Sequence, residues 1–527
     1  MRKSDNLCDY LARSAAAVPD HPAVVDPTGQ VLTYRQLDEL SDRVAGYLVD
    51  RGVVPGDRVG VIAPKSASVV ATLFGVMKAG AAYVPADYSA PASRNQTLLN
   101  DCAVKAMFLH AECAAIASDW PSANLPEVVW FDATGQDAVP GGIGVPWTEV
   151  AGHAPLQGDR LADSKGLAYI LYTSGSTGIP KGVVLTHENA TSFVDWCSDE
   201  FAPTGTDRFS SHAPFHFDLS VLDLYLSLKH GATLYLVSES VGKAPQELAA
   251  FIAGHHLTVW YSTPSILSLL AQFGSLEKHD CSSLRTVFFA GEVFPVKHLR
   301  NIVERWPQAT FFNLYGPTET NVCTFAKIPQ VIPADRTEPY PIGFVCPRCE
   351  AMVLDAPGGA EVTRGEEGLL HIAGDSLFQG YWKKSEGLFF ERNGRRWYNT
   401  GDVVCETPDV GFVYRGRLDR MVKRRGYRIE LAEIERGLYQ NERIREAAVI
   451  AVPDVAAGVR IIAHLAPEGS DRPSIIELKA FCNRNLPSYM SPDVFVFVDA
   501  LPRTSTDKID YQRLSQTQRA QQTQEKL

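Results

Sequence analysis

The chain has 527 residues, a formal net charge of -11 at pH 7 and 45% hydrophobic residues. This length predicts more than one domain, and the composition is typical of a globular enzyme. The acidic balance argues against a general nucleic-acid-binding protein, which normally carries a basic face.

Targeting and redox signals are weak in this chain. No apolar stretch follows Arg2 and Lys3, so we expect no signal peptide. The longest mostly apolar segment, 65–78, is shorter than the roughly 20 residues that cross a bilayer. Only Cys346 and Cys349 are close in sequence among the cysteines, and they lack further zinc ligands at suitable spacing. We expect a cytoplasmic protein with reduced cysteines and with neither membrane nor nucleic acid as partner.

The first half of the chain alternates between strand and helix patterns. A helical periodicity covers 34–44, and a second helix is predicted over 66–79 between strands at 58–62 and 81–85. The same alternation returns between about 167 and 330, with strands predicted at 167–171, 233–237, 259–261 and 286–289. This order predicts βαβ units on parallel sheets and hence an α/β fold.

The residue pattern changes twice in the second half of the chain. Residues 336–415 show short strands separated by Gly, Pro and Trp, which predicts a small β-barrel-like region. After Gly416 a small, basic, mixed α and β unit begins. We predict a large amino-terminal domain over 1–416 and a small carboxy-terminal domain over 417–527, with a frayed tail over the glutamine-rich residues 514–527.

The segment from Tyr172 to Gly182 (YTSGSTGIPKG) is rich in glycine and hydroxyl side chains and follows a predicted strand. Its backbone N–H groups and hydroxyls are suited to bind polyphosphate oxygens, with Lys181 as a cation. It is not a Walker A loop, because Gly182 follows the lysine where Ser or Thr would be required. The alternative is a flexible surface turn.

Four later segments extend this pattern: Asn313–Thr320 (NLYGPTET), Tyr398–Asp402 (YNTGD), Gly416–Lys423 (GRLDRMVK) and Leu501–Lys508 (LPRTSTDK). In this order, and with the glycine-rich loop, they resemble the adenylate-forming superfamily of acyl-CoA synthetases, peptide-synthetase adenylation domains and luciferases. The resemblance also includes Leu32–Tyr34, Lys78–Pro85 and Gly374–Asp375, so it covers nearly the whole chain.

The resemblance implies a two-step reaction that uses ATP and Mg²⁺. A carboxylate attacks the α-phosphate of ATP, and a thiol then takes the acyl group from the adenylate. Since the first step brings two anions together, cations and hydrogen-bond donors must neutralise charge. By resemblance, Lys508 is the catalytic lysine, Glu319 binds Mg²⁺, and Thr318 contacts phosphate oxygens.

The resemblance also implies an ATP site in which Tyr315 stacks on adenine and Asp402 accepts both ribose hydroxyls, aided by Arg417. The full implied set is Thr173, Ser174, Gly175, Ser176, Thr177, Gly178, Lys181, Gly291, Glu292, Asn313, Leu314, Tyr315, Gly316, Asp402, Tyr414 and Arg417. Read singly, Asp402 is equally suited to a turn, Tyr315 to a core and Lys508 to a solvated surface.

Asp419 matches the family's hinge, about which the small domain turns between the two half-reactions. After that rotation, Lys423 and Gly426 are implied to line the path of a pantetheine arm. The basic run 415–428 is alternatively a solvated face, although an acidic carrier protein would be attracted to it.

Asp218 lies where amino-acid-activating members of the family place an aspartate against the α-ammonium group of the substrate. A buried carboxylate needs a cationic partner, which fatty and aryl acids do not provide, so Asp218 favours an amino acid. Its alternative role is to cap a helix.

The family's specificity pattern, carried onto this chain, gives Asp218, Leu219, Leu222, Tyr261, Phe288, Ala290, Leu314, Val322, Cys323 and Lys508. This largely apolar set suits a compact amino acid and resembles that of stand-alone ligases that load L-proline onto a carrier protein for pyrrole formation. Phe288 departs from that pattern, where a leucine is expected. D-Alanine:carrier ligases come second, because a cysteine is expected where Ala290 stands, and glycine and pipecolate stay open.

The thiol acceptor is expected to be a separate carrier protein with a phosphopantetheine arm, in a natural-product pathway such as antibiotic biosynthesis; coenzyme A is the less favoured acceptor. The residues after Lys508 contain no phosphopantetheine motif. An acyl- or aryl-CoA ligase is the nearest alternative. A luciferase-type oxidoreductase is disfavoured by Asp218, and an inactive binding module by the presence of Lys508, Glu319 and the glycine-rich loop.

Overall fold

A computed structural model describes residues 6–158, 162–174, 180–384, 386–454, 458–469, 472–503 and 509–524. Its strands are β1 Pro22–Val25, β2 Val31–Thr33, β3 Arg58–Ile62, β4 Ala82–Pro85, β5 Ala106–Leu109, β6 Glu127–Trp130, β7 Val145–Pro146, β8 Leu167–Thr173, β9 Lys181–Thr186, β10 Arg208–Ser211, β11 Thr233–Leu236, β12 Val259–Ser262, β13 Thr286–Ala290, β14 Thr310–Tyr315, β15 Thr324–Lys327, β16 Phe344–Val345, β17 Cys349–Leu354, β18 Glu367–Gly374, β19 Gly380–Tyr381, β20 Phe389–Arg392, β21 Arg395–Thr407, β22 Gly411–Arg417, β23 Met421–Arg424, β24 Tyr427–Glu430, β25 Ile444–Asp454, β26 Gly458–Pro467 and β27 Val494–Phe497.

The α-helices are α1 Cys8–Ala17, α2 Tyr34–Asp50, α3 Ala67–Lys78, α4 Ala92–Cys102, α5 Ala114–Ser118, α6 Trp147–Ala151, α7 His187–Phe201, α8 Leu219–Lys229, α9 Glu239–Lys243, α10 Pro245–Gly254, α11 Pro264–Phe273, α12 Val296–Arg305, α13 Leu431–Leu438, α14 Ile475–Asn485 and α15 Tyr511–Gln524. The α/β fold class predicted from the sequence is confirmed.

The chain forms two compact units. The first contains Met1–Tyr88, Asn95–Tyr172 and Gly182–Gly416, and the second contains Ser89–Arg94, Thr173–Lys181 and Arg417–Leu527. Within the described residues, no helix combines the length and apolar character needed to cross a bilayer.

The first unit is built on three sheets. A nine-stranded sheet has the order β16-β15-β14-β13-β12-β10-β11-β1-β2, and an eight-stranded sheet has the order β19-β9-β8-β4-β3-β5-β6-β7. Both are mostly parallel, as β-branched strands alternating with helices predict. The predicted barrel-like region is a five-stranded antiparallel sheet of β17, β18, β20, β21 and β22.

Helices cover both faces of the nine-stranded sheet. On one face, Trp260, Val287 and Phe289 pack in one buried cluster with residues of α10, α11 and α12. On the other face, the alternate residues of the same strands share a cluster with α7 and α8. Since successive side chains of a strand point to opposite faces, this second cluster is where the predicted pocket residues lie.

Local sequence signals explain where several helices begin. Thr33 caps α2 in a capping box with Gln36, and Thr186 caps α7 in the same way with Asn189. Helix α3 is buried along nearly its whole length, which explains why its residues are apolar on every side.

The second unit contains a two-stranded sheet of β23 and β24 and a three-stranded sheet of β25, β26 and β27. The prediction of a frayed tail over 514–527 is wrong for the described residues 514–524, which belong to α15. Glutamine, arginine and alanine are good helix formers, and the buried Leu514 packs with Ile450 and Leu501. A single apolar anchor was too weak a pattern to read from the sequence.

Candidate active site

Three neighbouring parallel strands form one wall of the predicted substrate pocket. Tyr261 of β12 pairs in register with Phe288 of β13, and Ala290 of β13 pairs with Leu314 of β14. All four side chains are buried in the same core cluster. The site therefore lies toward the carboxyl ends of these strands, where parallel sheets usually bind their ligands.

The remaining apolar pocket residues come from a helix and a turn. Leu219 and Leu222 lie in the first turns of α8, and Val322 and Cys323 precede β15, with the Cys323 amide donating to the Tyr315 carbonyl at 2.8 Å. These four side chains are buried in the same cluster as the strand residues. The structure thus brings together the apolar residues that the sequence pattern selected.

Phe288 is fixed inside an aromatic group. Its ring centroid lies 4.6 Å from that of Phe201, 5.7 Å from Phe312 and 6.0 Å from Tyr261. Edge and tilted packing of this kind holds each ring in one orientation. The residue that departs from the proline pattern is therefore a rigid part of the pocket's surroundings.

Asp218 directly precedes α8 and makes no side-chain capping hydrogen bond to this helix. Its Oδ2 accepts a hydrogen bond from the Thr318 hydroxyl at 2.7 Å. Burial raises the pKa of Tyr261, and the charge of Asp218 adds to that rise, so the carboxylate lies near the pocket tyrosine. The geometry does not support the helix-capping alternative.

Glu319 is fully buried, and its Oε1 accepts a hydrogen bond from the Tyr381 hydroxyl at 2.7 Å. A second tyrosine, Tyr398, lies 3.2 Å away, measured between the two hydroxyl oxygens. The described residues contain no group of three or more His, Cys, Asp or Glu side chains suited to a metal ion. Mg²⁺ usually binds one or two carboxylates plus substrate phosphates and water. Glu319 could therefore supply the protein carboxylate of such a site, with the other ligands coming from phosphates and water.

Asp402 lies in β21 and is 1% exposed. Its carboxylate accepts a hydrogen bond from the Tyr315 hydroxyl, and its amide donates to the Thr400 hydroxyl at 3.1 Å. Burial, reinforced by the Asp402 charge, raises the pKa of Tyr315. The local turn is made instead by Asn399, whose Oδ1 accepts from the Gly401 amide at 2.9 Å.

The ends of β13 and β14 carry the other predicted ATP-site residues of the first unit. Gly291, with φ of 92°, follows β13, and Glu292 Oε2 accepts from the Ser265 amide at 3.0 Å. Asn313 donates to the Pro341 carbonyl at 2.9 Å. A Cβ at Gly316 would lie 1.6 Å from the Asn321 carbonyl oxygen, so the close approach of that backbone requires glycine here.

The glycine-rich loop is described at its two ends only. The Ser174 hydroxyl donates to the Arg428 carbonyl at 2.6 Å and accepts from the Glu430 amide at 3.1 Å, all within the second unit. The Thr173 hydroxyl is buried and has no hydrogen-bond partner in the described part of the chain. The predicted residues outside the described ranges are Gly175, Ser176, Thr177 and Gly178.

The predicted hinge begins the second unit. Arg417 binds Asp419 through two hydrogen bonds of 2.7 Å each. Burial would raise the pKa of Asp419, but the bonds from Arg417 lower it overall. Lys423 lies in β23, and Gly426, with φ of 83°, forms the turn to β24.

Three further predicted residues belong to other segments of the chain. Tyr414 lies in β22 of the first unit, Lys181 begins β9, and Lys508 lies outside the described residues.

Sequence reasoning missed Tyr381, which donates to Glu319, and the hydrogen bond between Thr318 and Asp218. Tyr381 and Glu319 are 62 residues apart in sequence, and Thr318 and Asp218 are 100 apart. The tyrosine follows Gly380 in a glycine-punctuated stretch close to the Gly374–Asp375 motif, which was the available signal.

The sequence matches two family models. The model described as AMP-binding enzyme covers residues 11–382, and the model described as AMP-binding enzyme C-terminal domain covers residues 433–508. In fold, the chain is similar to the amide bond synthetase McbA from Marinactinospora thermotolerans, with a TM-score of 0.83, 22% identity and coverage of 96% of this chain and 99% of that one.

Among characterised relatives, an L-proline--[L-prolyl-carrier protein] ligase of Streptomyces coelicolor is 40% identical over 92% of this chain and 91% of its own length. A ligase of the same name from Pseudomonas fluorescens is 37% identical, over 96% of this chain and 97% of its own length. A D-alanine--D-alanyl carrier protein ligase of Lactiplantibacillus plantarum is 34% identical over 96% and 97%. The chain therefore belongs to the family of AMP-binding enzymes.

Proposed function

We propose that this enzyme activates L-proline with ATP and transfers the prolyl group to the phosphopantetheine thiol of a separate carrier protein. The observation that carries this proposal is the Asp218 carboxylate beside an apolar pocket. The relatives named as L-proline ligases, which match nearly the full chain, support the choice of amino acid and acceptor.

The pocket chemistry favours a compact amino acid with an apolar side chain. Asp218 would pair with the secondary ammonium group of proline, because a carboxylate that substrate binding desolvates needs a cationic partner. The walls formed by Leu222, Ala290 and Leu314 would contact the ring carbons. A polar side chain would lose its hydrogen bonds to water there and gain none.

In the first step, a carboxylate oxygen of proline would attack the α-phosphorus of ATP, and pyrophosphate would leave. Thr318 donates to Asp218 in this structure, which supports assigning its hydroxyl to the region between the amino acid and the phosphate. We assign Lys181 and Lys508 to neutralising charge and Asp402 to the ribose hydroxyls. Bound Mg²⁺, held by Glu319, would supply further positive charge against the phosphates.

In the second step, the carrier's thiol sulfur would attack the prolyl carbonyl, and AMP would leave as the thioester forms. We assign the large part, 1–416, to binding ATP and amino acid and the small part, 417–527, to supplying Lys508. Asp419 would then act as the hinge that exchanges Lys508 for the Lys423 and Gly426 face. We place this reaction in natural-product assembly that forms a pyrrole from the loaded proline.

A D-alanine:carrier protein ligase is the second candidate, because a ligase of that kind is 34% identical over nearly the whole chain. Because the side chain of Ala290 is small, the pocket would be larger than the methyl side chain of a D-alanine substrate can fill. We therefore rank proline first.

The deciding experiment is ATP–pyrophosphate exchange with L-proline, D-alanine, L-alanine, glycine, L-pipecolate and benzoate. We expect L-proline to give the dominant signal and the prolyl group to be loaded onto a phosphopantetheinylated carrier. A dominant D-alanine signal would support the second candidate, and exchange with benzoate alone would rule out an amino acid substrate.

Asp218→Asn tests the ammonium pairing directly. We expect kcat/KM for proline to fall by at least about 100-fold, because one member of a desolvated charge pair is lost. Asp223→Asn is the matched control, since it makes the same change on the same helix at a carboxyl that has no hydrogen-bond partner in the described residues. An equal loss in both variants would mean that the helix, and not the ammonium pairing, was damaged.

A further inference from the structure

Lys65 links the eight-stranded sheet to the segment that carries Asp218. It lies in the connection between β3 and α3. Its Nζ donates to the Ser211 carbonyl, to the Ser211 hydroxyl at 3.2 Å and to the His212 carbonyl at 3.0 Å. One ammonium group thus binds the last residue of β10 and the first residue after it.

The same ammonium lies 5.6 Å from the centroid of the Phe215 ring, a distance at which a cation is attracted to an aromatic face. Residues 212–217 form an irregular connection between β10 and α8, and Asp218 follows directly. At the far end of this connection, the Ser220 hydroxyl donates to the Phe217 carbonyl at 2.6 Å. Lys65 therefore fixes the beginning and middle of the connection, and Ser220 fixes its end.

Asp223 adds a through-space interaction between Lys65 and α8. Its carboxyl is fully buried, and neither oxygen has a hydrogen-bond partner in the described residues. Burial raises the pKa of Asp223 and lowers that of Lys65 to about 7, and the charge of each group opposes the shift of the other. Because a buried carboxyl without donors is costly, removing the lysine charge would also affect stability, and an experiment has to separate the two effects.

We propose that Lys65 is a positioning residue for amino acid recognition, because its ammonium fixes the connection 211–217 and thereby the place of the Asp218 carboxylate. The hydrogen bonds carry this role, and the Asp223 charge is secondary. The inference rests on the proposed pairing of Asp218 with a substrate ammonium, but not on which amino acid supplies it.

The test compares Lys65→Met with Lys65→Arg in steady-state exchange kinetics of the full-length enzyme. Methionine keeps the unbranched apolar stem without the donors, whereas arginine keeps the positive charge and donors. We expect Lys65→Met to raise KM for the amino acid about tenfold or more while KM for ATP changes less than about threefold, and Lys65→Arg to recover most of the loss.

Lys78→Met is the matched control. Lys78 is fully buried at the end of α3, whereas Lys65 is partly buried, and it binds Asp38 at 2.7 Å and Asp42 at 2.6 Å, not the connection that carries Asp218. We expect this variant to melt at a lower temperature without a selective change in KM for the amino acid. A selective change of equal size in Lys78→Met would overturn the inference, because the effect would then be a general one of burying a methionine.

The double variant Lys65→Met with Asp223→Asn separates positioning from charge compensation. We expect the amide to restore part of the melting temperature that Lys65→Met loses, while KM for the amino acid stays high. If Asp223→Asn restores the KM as well, an uncompensated carboxyl caused the defect, and the positioning role is wrong.

The outcome is distinguishable from a failure of the proposed function. If the wild-type enzyme activates D-alanine or glycine in place of L-proline, the substrate proposal fails, and the same Lys65 comparison is made with that amino acid. If the wild type uses an acid without an ammonium group, Lys65→Met should leave KM for that acid unchanged, and the inference falls with the Asp218 assignment.

Discussion

Thr318 connects two predicted functions through one hydroxyl group. The sequence assigned it to phosphate oxygens, and the structure shows it donating to the Asp218 carboxylate at 2.7 Å. A hydroxyl has one hydrogen to donate and two acceptor lone pairs, so it cannot donate to Asp218 and to a phosphate oxygen at the same time. If Thr318 donates to phosphate when ATP is bound, its hydrogen must turn away from Asp218, whose carboxylate would then be paired with the substrate ammonium group.

Thr318→Val tests this exchange of partners. Valine has nearly the same shape but no hydroxyl, so we expect kcat for adenylation to fall about 10- to 100-fold through loss of one donor to the developing phosphate charge. KM for the amino acid should change little, because the substrate ammonium group would pair with the Asp218 carboxylate in the variant as in the wild type. Exchange kinetics with the amino acid and ATP varied separately provide the measurement.

Thr318→Ser is the control for that prediction, since serine keeps the hydroxyl and loses only a methyl group. It should retain most of the activity. A serine variant as slow as the valine variant would show that packing of the methyl group matters and that the hydroxyl is not used.

Two buried carboxyl groups of the first unit accept hydrogen bonds from tyrosine hydroxyls. Glu319 accepts from Tyr381 at 2.7 Å, and Asp402 accepts from Tyr315. A neutral donor fixes the orientation of a carboxylate without cancelling its charge. The tyrosines therefore orient the carboxyl oxygens that a magnesium ion or a pair of ribose hydroxyls would contact.

At the scale of elements, the first turn of α7 also makes hydrogen bonds to the segment that precedes β19. Asn189 completes the capping box with Thr186, and its Nδ2 donates to the carbonyls of Asp375 at 2.8 Å and Leu377 at 2.9 Å. The segment after Leu377 leads into β19 with Tyr381, which contacts Glu319. Asn189 therefore connects the first turn of α7 to the segment that leads to Tyr381, the hydrogen-bond donor to Glu319.

Asn189→Ala should therefore destabilise the protein more than an ordinary cap deletion. We expect a loss of about 2–3 kcal/mol, because the Asn189 half of the capping box and two hydrogen bonds, one of them fully buried, disappear together. Gln36→Ala removes the corresponding side chain of the α2 capping box, whose bond from the Thr33 amide is exposed, and should cost only about 0.5–1 kcal/mol. Urea unfolding of the full chain, followed by circular dichroism, measures both, and equal losses would contradict the role assigned to Asn189.

Much of the fold could be predicted because it follows from local patterns. The apolar run before Lys78 predicts α3, and the β-branched run 58–62 is strand β3. The contact between Tyr381 and Glu319 could not be predicted, because it depends on β19 pairing with β9, and no local pattern fixes that partner. The pocket residues were found through family resemblance, since the shared face of Tyr261, Ala290 and Leu314 requires the register of separate strands.

At the scale of the whole molecule, we expect three histidines of the first unit to make it sensitive to acid. Burial lowers the pKa of His187 to about 4, that of His212 to about 3 and that of His230 to about 4. In the unfolded chain a histidine takes up its proton near pH 6.5. Between these values the unfolded state binds more protons, so stability must fall as the pH falls from about 6.5 toward 4.

His187 offers the clearest test, because it is 1% exposed and its Nδ1 accepts from the Leu7 amide at 3.3 Å. The shift of its pKa to about 4 corresponds to a loss of at most about 2 kcal/mol between pH 7 and pH 5. His187→Asn keeps an acceptor oxygen for Leu7 and cannot take up a proton. We expect its melting temperature to fall less than that of the wild type when the pH is lowered from 7 to 5.

The control is His256→Asn, at an exposed residue with φ of 49° that asparagine adopts readily. This variant should show the full wild-type fall in melting temperature, because its imidazole is solvated in the folded and unfolded states alike. If His187→Asn also shows the full wild-type fall, protonation of His187 does not drive acid unfolding. The next histidines to test would then be His212, next to Lys65, and His230, which hydrogen-bonds Ser198 at 2.7 Å.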